Sequence, residues 1–294
     1  MVELVSAATT ADAAAQAVPA QFARFFDDAA TFPPGLAPLE KAVTDHVARW
    51  ANPLAAAVGP AVLKLDDLPE ARRIAAGPAR GDRPVEVSAV VPAGRLRAAL
   101  DAAQQIGPEL RMVSIELKTD AGDQDVWSAQ IREAAAAPGI PVYVELTADQ
   151  VRGGALELLE GTGLRLKYRT GGIEAHLFPS PEQLAAVLVE AVAARIPFKL
   201  TAGLHEAVRY TDPATGFTHH GFLNIAMAAE AARAHEPAER VARLLTETDP
   251  APLVELARAS DGSWRESFTS FGTCSVGEPA ESLERLGLFP QGLI

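Results

Sequence analysis

Residues 140–203 read IPVYVELTADQVRGGALELLEGTGLRLKYRTGGIEAHLFPSPEQLAAVLVEAVAARIPFKLTAG, and this stretch carries the clearest fold signal in the chain. It holds three short runs of strand-forming residues, at 141–146, 164–169 and 197–201. The segments between them, 148–159 and 181–194, have apolar residues at helical spacing. Strands that alternate with helices in this way predict parallel βαβ units.

The same alternation extends outward to both ends of the chain. Five further strand-like runs lie at 22–27, 61–65, 85–91, 111–117 and 267–272, and two further helical segments lie at 94–105 and 125–136. Eight such units favour a closed barrel, so we predict one α/β domain, a (β/α)8 TIM barrel over residues 1–294. The alternative is a doubly wound sheet, but no Gly-x-Gly-x-x-Gly motif follows the first strand.

The connection between the seventh and eighth predicted strands is unusually long. Residues 204–266 are predicted to form a helical insertion or lid, with helices at 224–234 and 238–245. Because long connections in compact domains usually have a function, we expect this one to cover the site or to form a subunit contact. Residues 1–20 are expected to form a helix that closes the bottom of the barrel.

Composition narrows the function classes. The 294 residues are 48% hydrophobic and carry 26 Lys+Arg against 38 Asp+Glu, a formal net charge of -12 without a basic run. Such a surface repels nucleic acid and anionic membranes, and the start of the chain lacks a secretory signal. Cys274 is the single cysteine, so no intramolecular disulfide and no cysteine zinc site is possible. We expect a cytoplasmic protein with a small-molecule substrate, no metal, no cofactor, no membrane partner, and a possible homo-oligomer.

In such barrels the side chains at the carboxyl ends of the strands surround the site. Polar residues at these positions are Asp27, Asp28, Lys64, Asp66, Asp67, Glu116, Lys118, Glu145, Lys167, Arg169, Lys199, His205, Ser270, Thr273, Cys274 and Ser275.

Lys167 and Lys199 stand out because a buried parallel strand rarely holds an unpaired ammonium group. Two lysines on neighbouring strands repel each other, which predicts that the pKa of Lys167 is depressed by Lys199 and by burial. A neutral amine of this kind attacks a carbonyl and forms a Schiff base. The alternative is that carboxylates such as Glu116 and Glu145 hold both lysines in structural ion pairs.

Three motifs point to a known family. The sixth strand ends in KYRTG (167–171), the seventh reads FKLTAG (198–203) and the eighth ends in FGTCS (271–275), with weaker similarity in VEVSAVVPAG (85–94) and IPVYVELTADQ (140–150). Over about residues 84–277 the chain resembles, distantly, deoxyribose-phosphate aldolase and its class I aldolase neighbours.

The resemblance implies that Lys167 is the Schiff-base residue and Lys199 its electrostatic partner. Glu116 is the acid nearest to the family's strand-4 aspartate. Gly203, Gly272, Thr273 and Ser275 correspond to the family's phosphate-binding turns. Tyr168, Arg169 and Leu204 replace small residues of the family pattern, so a sugar phosphate is not implied as the substrate.

Other residues are candidates from their position alone. Arg169 either clamps a carboxylate or phosphate or satisfies buried carbonyls or Glu145. His205 is either a general acid–base or a hydrogen-bonded loop residue. Substrate-binding positions are also predicted at Thr170, Gly171, Glu145 and Asp28, the last being alternatively a turn residue. His205, His219 and His220, with Glu145 or Asp27, are an alternative divalent-metal site, although no metal-ligand spacing supports it. Cys274 is expected to be a packing residue.

The leading hypothesis is a class I, Schiff-base aldolase or carbon–carbon lyase that acts on a small carbonyl or phosphorylated compound. Lys167 would attack, Lys199 would lower its pKa, and Glu116 or His205 would move protons. The alternatives are a metal- or acid–base-dependent lyase or isomerase in the same pocket, and a catalytically silent barrel that binds a ligand or serves as a scaffold.

Overall fold

A closed barrel of eight parallel strands forms the centre of the protein in the computed structural model, which describes residues 18–137 and 139–293 except the side chain of Pro78. The strands of the chain are β1 (Phe26–Asp28), β2 (Val58–Lys64), β3 (Val85–Val91), β4 (Leu110–Lys118), β5 (Val142–Leu146), β6 (Arg165–Arg169), β7 (Phe198–Thr201), β8 (Tyr210–Thr211), β9 (Thr218–His219) and β10 (Phe268–Thr273). The barrel order is β1-β10-β7-β6-β5-β4-β3-β2, and β8 and β9 form a separate antiparallel hairpin. The predicted (β/α)8 barrel is confirmed.

Helices cover the outside of the barrel. They are α1 (Leu39–Ala48), α2 (Leu68–Ala75), α3 (Leu96–Gln105), α4 (Gln124–Ala135), α5 (Ala148–Arg152), α6 (Pro181–Ala193), α7 (Phe222–Arg233), α8 (Ala238–Thr246), α9 (Pro250–Ala259) and α10 (Gly277–Arg285). Capping boxes fix the starts of two of them, since Thr147 pairs with Gln150 before α5 and Ser180 pairs with Gln183 before α6.

Two predicted boundaries are wrong by four residues or more. The helix predicted over 148–159 ends at Arg152, because Gly153 and Gly154 follow and Gly154 has a φ of +83°, which leaves only a 3-10 turn afterwards. The first strand begins at Phe26 rather than at residue 22, because Arg24 has a φ of +52° and interrupts the extended chain. The helix predicted over 1–20 falls on residues of which 1–17 lie outside the described part of the chain.

The apolar core lies between the strands and the helices. In β3, Val85, Val87, Ala89 and Val91 alternate outward and are fully buried in this layer. The residues between them face the barrel interior, which in most such barrels is filled with Val, Ile and Leu. Here the inward positions include serines, carboxylates and lysines, so the strand alternation itself directs polar groups into the centre.

The long connection between β7 and β10 divides into parts with different surroundings. Helix α7 belongs to the outer layer: it packs against α6 and α8, and the Phe222 ring stacks on Phe271 with centroids 5.0 Å apart. The β8–β9 hairpin instead lies at the carboxyl ends of the strands, where Nδ1 of His219 is 3.0 Å from the carbonyl oxygen of Gly203. The hairpin is therefore the part of residues 204–266 to which the lid prediction still applies.

None of the helices in the described part of the chain is long and apolar enough to cross a membrane.

Candidate active site

Five ionisable side chains from five strands meet inside the barrel. They are Asp27 of β1, Glu116 of β4, Glu145 of β5, Lys167 of β6 and Lys199 of β7, and together they are called the ion cluster. Lys167 is 4% exposed and Lys199 1% exposed. Charges buried to this degree are tolerated only when they are paired.

The strand register explains why these side chains meet. Lys167 is directly opposite Lys199 in the β6–β7 pair, and Glu145 is directly opposite Lys167 in the β5–β6 pair. Side chains at paired positions point to the same face of a sheet, here the barrel interior. The two lysine side chains therefore meet inside the barrel, whereas the expectation that both reach its carboxyl-terminal mouth stays a prediction.

Glu116 bridges the two lysines. Its Oε2 lies 2.8 Å from Nζ of Lys167 and its Oε1 lies 2.5 Å from Nζ of Lys199. The Ser88 hydroxyl donates a further hydrogen bond of 2.7 Å to Oε1. A carboxylate with contacts on both oxygens is fixed in orientation, and it separates the two ammonium groups electrostatically.

Lys199 has a second carboxylate partner. Its Nζ donates to Oδ2 of Asp27 at 2.6 Å, and the Ser270 hydroxyl donates to the same oxygen at 2.7 Å. The Tyr143 ring lies on another side, with its centroid 5.3 Å from Nζ. These contacts hold Lys199 as an ammonium ion.

The electrostatics of the ion cluster contradict the predicted pKa depression. Burial by itself would lower the pKa of Lys167, but attraction to Glu116 and Glu145 outweighs it and the pKa is raised. Burial likewise opposes the rise in the pKa of Lys199, which Asp27 and Glu116 cause. The expectation failed because the carboxylates compensate the like-charge repulsion between the amines.

The pKa values of the three carboxyl groups in the ion cluster are shifted in two different directions. Burial favours the neutral form of Glu116, but Lys167 and Lys199 overcome it and lower the pKa of this carboxyl to about 2. For Asp27 burial prevails over the attraction of Lys199, and its pKa is raised. Glu145, beside Lys167, has a lowered pKa despite its burial.

One contact in the ion cluster is incomplete. Oε2 of Glu145 lies 2.8 Å from Nζ of Lys167 in an ion pair that lowers the pKa of this carboxyl, but the angles at these atoms are poor for a hydrogen bond and no other donor reaches this buried oxygen in the described part of the chain. A buried carboxylate oxygen without a hydrogen bond is unusual and calls for an explanation. Lys167 is therefore ion-paired with an adjacent carboxylate oxygen that has no second donor.

Arg169, Thr170, Gly171 and Gly203 lie where β6 and β7 end. Arg169 is partly exposed, donates from Nη1 to the carbonyl oxygen of Gly171 at 3.2 Å, and its Nη2 is 3.9 Å from Oε1 of Glu145. The buried Thr170 hydroxyl donates to the carbonyl oxygen of Ala202 at 2.7 Å. A Cβ on Gly171 would lie 3.0 Å from Cα of Gly203, so these two glycines permit a close approach of the two loops.

The predicted anion-binding turn after β10 is held by contacts within the protein. The Thr273 hydroxyl donates to the carbonyl oxygen of Ser275 at 2.9 Å, and a Cβ on Gly272 would lie 3.3 Å from Oγ1 of Thr201. Burial raises the pKa of the Cys274 thiol, which disfavours the thiolate and agrees with a packing role. Binding of an anion by this turn stays a prediction.

Asp28 is not part of the ion cluster. It points to the other side of β1, where its Oδ2 lies 3.0 Å from Nδ1 of His46 and accepts from Arg49 at 2.8 Å. The inward acid of this strand is Asp27, its sequence neighbour. The outward packing of Phe26 was the available signal, because alternate residues of a strand face opposite sides.

His205 also lies outside the ion cluster. Its Nδ1 is 2.7 Å from Oε2 of Glu278 on α10, and its ring lies beside that of His219 with centroids 5.9 Å apart. In the described part of the chain no group of three or more His, Cys, Asp or Glu side chains could hold a metal ion. His220 is 1% exposed, and burial lowers its pKa to about 4.

Sequence reasoning did not name Ser88, Ser114 or Tyr143, and it named Ser270 only as a polar residue at a strand end. Ser88, Ser114, Ser270 and Tyr143 line or support the ion cluster, and the Ser114 hydroxyl donates to Ser88 at 2.7 Å. Polar residues at inward positions of β3, β4, β5 and β10 were the signal, but only the register shows which of them touch.

Comparison with known proteins gives no identity. No family model matches the chain, and searches of curated proteins and of solved structures return no match. The barrel that the aldolase resemblance implies is confirmed by the strand order, whereas the relation to those aldolases stays a prediction.

Proposed function

We propose that the protein is a class I, Schiff-base-forming lyase of the aldolase type, which acts on a small carbonyl compound with Lys167 as its nucleophile. The observation that carries this proposal is the incomplete contact between Lys167 and Glu145. Nζ of Lys167 is ion-paired with a carboxylate oxygen 2.8 Å away that has no other donor. An amine beside a base is the arrangement that nucleophilic catalysis requires.

The charged resting state of Lys167 sets the first step. Because its pKa is raised, an ammonium proton must leave before the amine can attack. Oε2 of Glu145 is the proposed acceptor because it is the nearest base, although the transfer runs against the raised pKa of Lys167 and the lowered pKa of Glu145. Once the proton is transferred, Glu145 is neutral and Lys167 is a free amine.

The neutral amine then adds to the carbonyl carbon to give a carbinolamine. Glu145 returns its proton to the carbinolamine hydroxyl, which leaves as water and gives a protonated imine. This cation withdraws electrons from the neighbouring carbon–carbon bond, which is how such lyases cleave or form it. Lys199 stays charged and supplies fixed positive charge, because Asp27 and Glu116 hold its proton. Arg169, partly exposed at the end of β6, would bind an anionic group of the substrate, phosphate included.

Borohydride trapping tests this proposal. The protein is incubated with a panel of small aldehydes, ketones, keto acids and sugar phosphates, reduced with borohydride, and mapped by peptide mass spectrometry. The expected result is a stable secondary amine on Lys167. Lys167→Arg keeps a positive charge for Glu116 and Glu145 but cannot form the imine, so its adduct should disappear.

The matched control is Lys118→Arg, at the exposed end of β4. It should retain the full Lys167 adduct, because this lysine lies outside the ion cluster. An adduct on another residue, or none across the whole panel, would contradict the Schiff-base assignment.

A second candidate is supported by the raised pKa values of both lysines. Two permanent ammonium groups suit an acid–base lyase or isomerase, in which Lys167 and Arg169 bind an anionic substrate and Asp27 or Glu145 moves protons. This candidate predicts turnover without any trapped adduct and partial activity in Lys167→Arg. Trapping therefore separates the two candidates.

A further inference from the structure

A cleft of about 350 Å³ lies beside the hairpin, away from the ion cluster. Its walls come from the segment after β7, from the link between α8 and α9, and from α10. The side chains used below are Val208, Arg209, Tyr210, Pro250, Arg285 and Leu286. A space of this volume is within the range that small ligands occupy.

Arg209 is the residue that gives this cleft its chemistry. It is half-buried, and burial lowers the pKa of its guanidinium group. In the described part of the chain it has no carboxylate in ion-pair contact, and Glu182 attracts it only from a distance. An arginine that is partly removed from water without a counter-charge is costly to keep in place.

Its one close side-chain partner brings no negative charge. Nε2 of His220 lies 2.8 Å from the carbonyl oxygen of Pro179, so this nitrogen must carry the hydrogen and donate it. Nδ1 is then an acceptor, and Nη1 of Arg209 donates to it at 3.3 Å. Because the pKa of His220 is about 4, the imidazole is neutral near pH 7. The histidine thus orients the guanidinium without supplying a counter-charge, and Glu182 offsets the positive charge only from beyond ion-pair distance.

The rest of the cleft adds a second guanidinium and an apolar wall. Arg285 is paired with Glu206, so the two arginines and one glutamate leave one net positive charge. The chain as a whole has a net charge of -12, so this surplus is local and not a general property of the surface. Val208, Pro250 and Leu286 provide apolar contacts beside it.

We propose that this cleft binds a small organic anion, with a carboxylate or phosphate monoester on Arg209 and an apolar body against Val208, Pro250 and Leu286. Guanidinium groups recognise both anions through paired N–H donors. The proposal does not depend on Schiff-base chemistry, because none of these residues belongs to the ion cluster.

Isothermal titration calorimetry with benzoate and with phenyl phosphate tests the site, and benzyl alcohol serves as the neutral analogue of similar shape. At least one anion should bind with a submillimolar dissociation constant, and the better of the two identifies the preferred anionic group. Benzyl alcohol should bind at least about 10-fold more weakly, a difference of roughly 1.4 kcal/mol.

Three variants test whether the anion binds in this cleft. Arg209→Gln removes the charge while keeping an N–H donor for His220, and it should weaken the anion about 10-fold or more. Val208→Trp keeps Arg209 and fills the cleft, so it should have the same effect even if Arg209→Gln folds poorly. Arg97→Gln, an exposed change on α3, should leave binding unchanged.

Equal affinity for benzyl alcohol, unchanged affinity in both Arg209→Gln and Val208→Trp, or no heat with either anion at millimolar concentration would overturn the proposal. Loss of binding in Lys167→Arg would also overturn it, since the anion would then occupy the ion cluster. Retained binding in Lys167→Arg without a borohydride adduct in the wild type would support the cleft while removing the proposed lyase function.

Discussion

Lys199 and Lys167 occupy paired positions on neighbouring strands, yet their surroundings differ. Nζ of Lys199 donates hydrogen bonds to Asp27 and Glu116. Nζ of Lys167 touches Glu116 and Glu145, but the Glu145 oxygen beside it has no hydrogen bond. The same residue type is thus held by two well-formed hydrogen bonds on one strand and by ion pairs of poorer geometry on the next, and only the second lies beside a carboxylate oxygen with no other donor.

Breaking the bridge between the two lysines should have the largest effect. Glu116→Gln leaves two buried ammonium groups without their shared carboxylate, and the free energy of unfolding should fall by about 3–5 kcal/mol. Urea denaturation at pH 7 measures this, with Glu133→Gln on the exposed face of α4 as the control. A loss below about 1 kcal/mol would show that the bridge contributes little.

Low pH should weaken the contacts of Glu116 with the two lysines and so lower the free energy of unfolding. The pKa of Glu116 is about 2 in the folded protein against 4.5 ordinarily, so its stabilisation is present above pH 4.5 and is lost as the pH falls toward 2. This group alone accounts for roughly 3 kcal/mol across that window. The raised pKa of Asp27 acts in the opposite direction and offsets part of the loss.

Denaturant titrations at pH 7, 4.5 and 2.5 measure the change. Glu116→Gln should lower stability at pH 7 and flatten the acid limb, because the titrating group is gone. An acid limb equally steep in this variant would assign the pH dependence to other carboxylates.

Glu145→Gln tests whether the carboxylate beside Lys167 accepts the ammonium proton. An amide cannot take the ammonium proton, so the rate of borohydride-trapped adduct formation should fall about 100-fold. Stability should change less than in Glu116→Gln, because Glu145 pairs with only one of the two buried lysines and its other contact, with Arg169, is 3.9 Å long and partly exposed. An unchanged trapping rate would mean that another group removes the proton.

Asp28→Asn should have the smallest effect, and it distinguishes the role of the outward face of β1 from that of the inward face. Loss of the charged contacts with His46 and Arg49 should lower the free energy of unfolding by about 1.5–3 kcal/mol. Adduct formation on Lys167 should remain within about twofold of the wild type, because Asp28 lies outside the ion cluster. Measuring both quantities on one preparation would expose a catalytic role if the trapping rate fell as well.

The sequence predicted the positions of the strands better than it predicted which side chains meet inside the barrel. Runs such as 85–91 match β3, because outward valines and alanines alternate with other residues. The start of β1 was missed because no sequence feature predicts the positive φ of Arg24. Asp28 was preferred to Asp27 because the strand register was unknown, and a shift of one residue exchanges the two faces of a strand. Lys167, Lys199 and Glu116 were found because charges in buried strands are unusual.

The sequence by itself determined the eight alternating units, the closed parallel barrel, and the presence of two lysines near the ends of neighbouring strands. Tertiary structure alone decided their charge state, because it placed three carboxylates from distant strands, Asp27, Glu116 and Glu145, around the two amines. A pKa depends on distances and burial, which have no local signature in the chain. The repulsion expected between two lysines was thus replaced by attraction to acids that the barrel brings together.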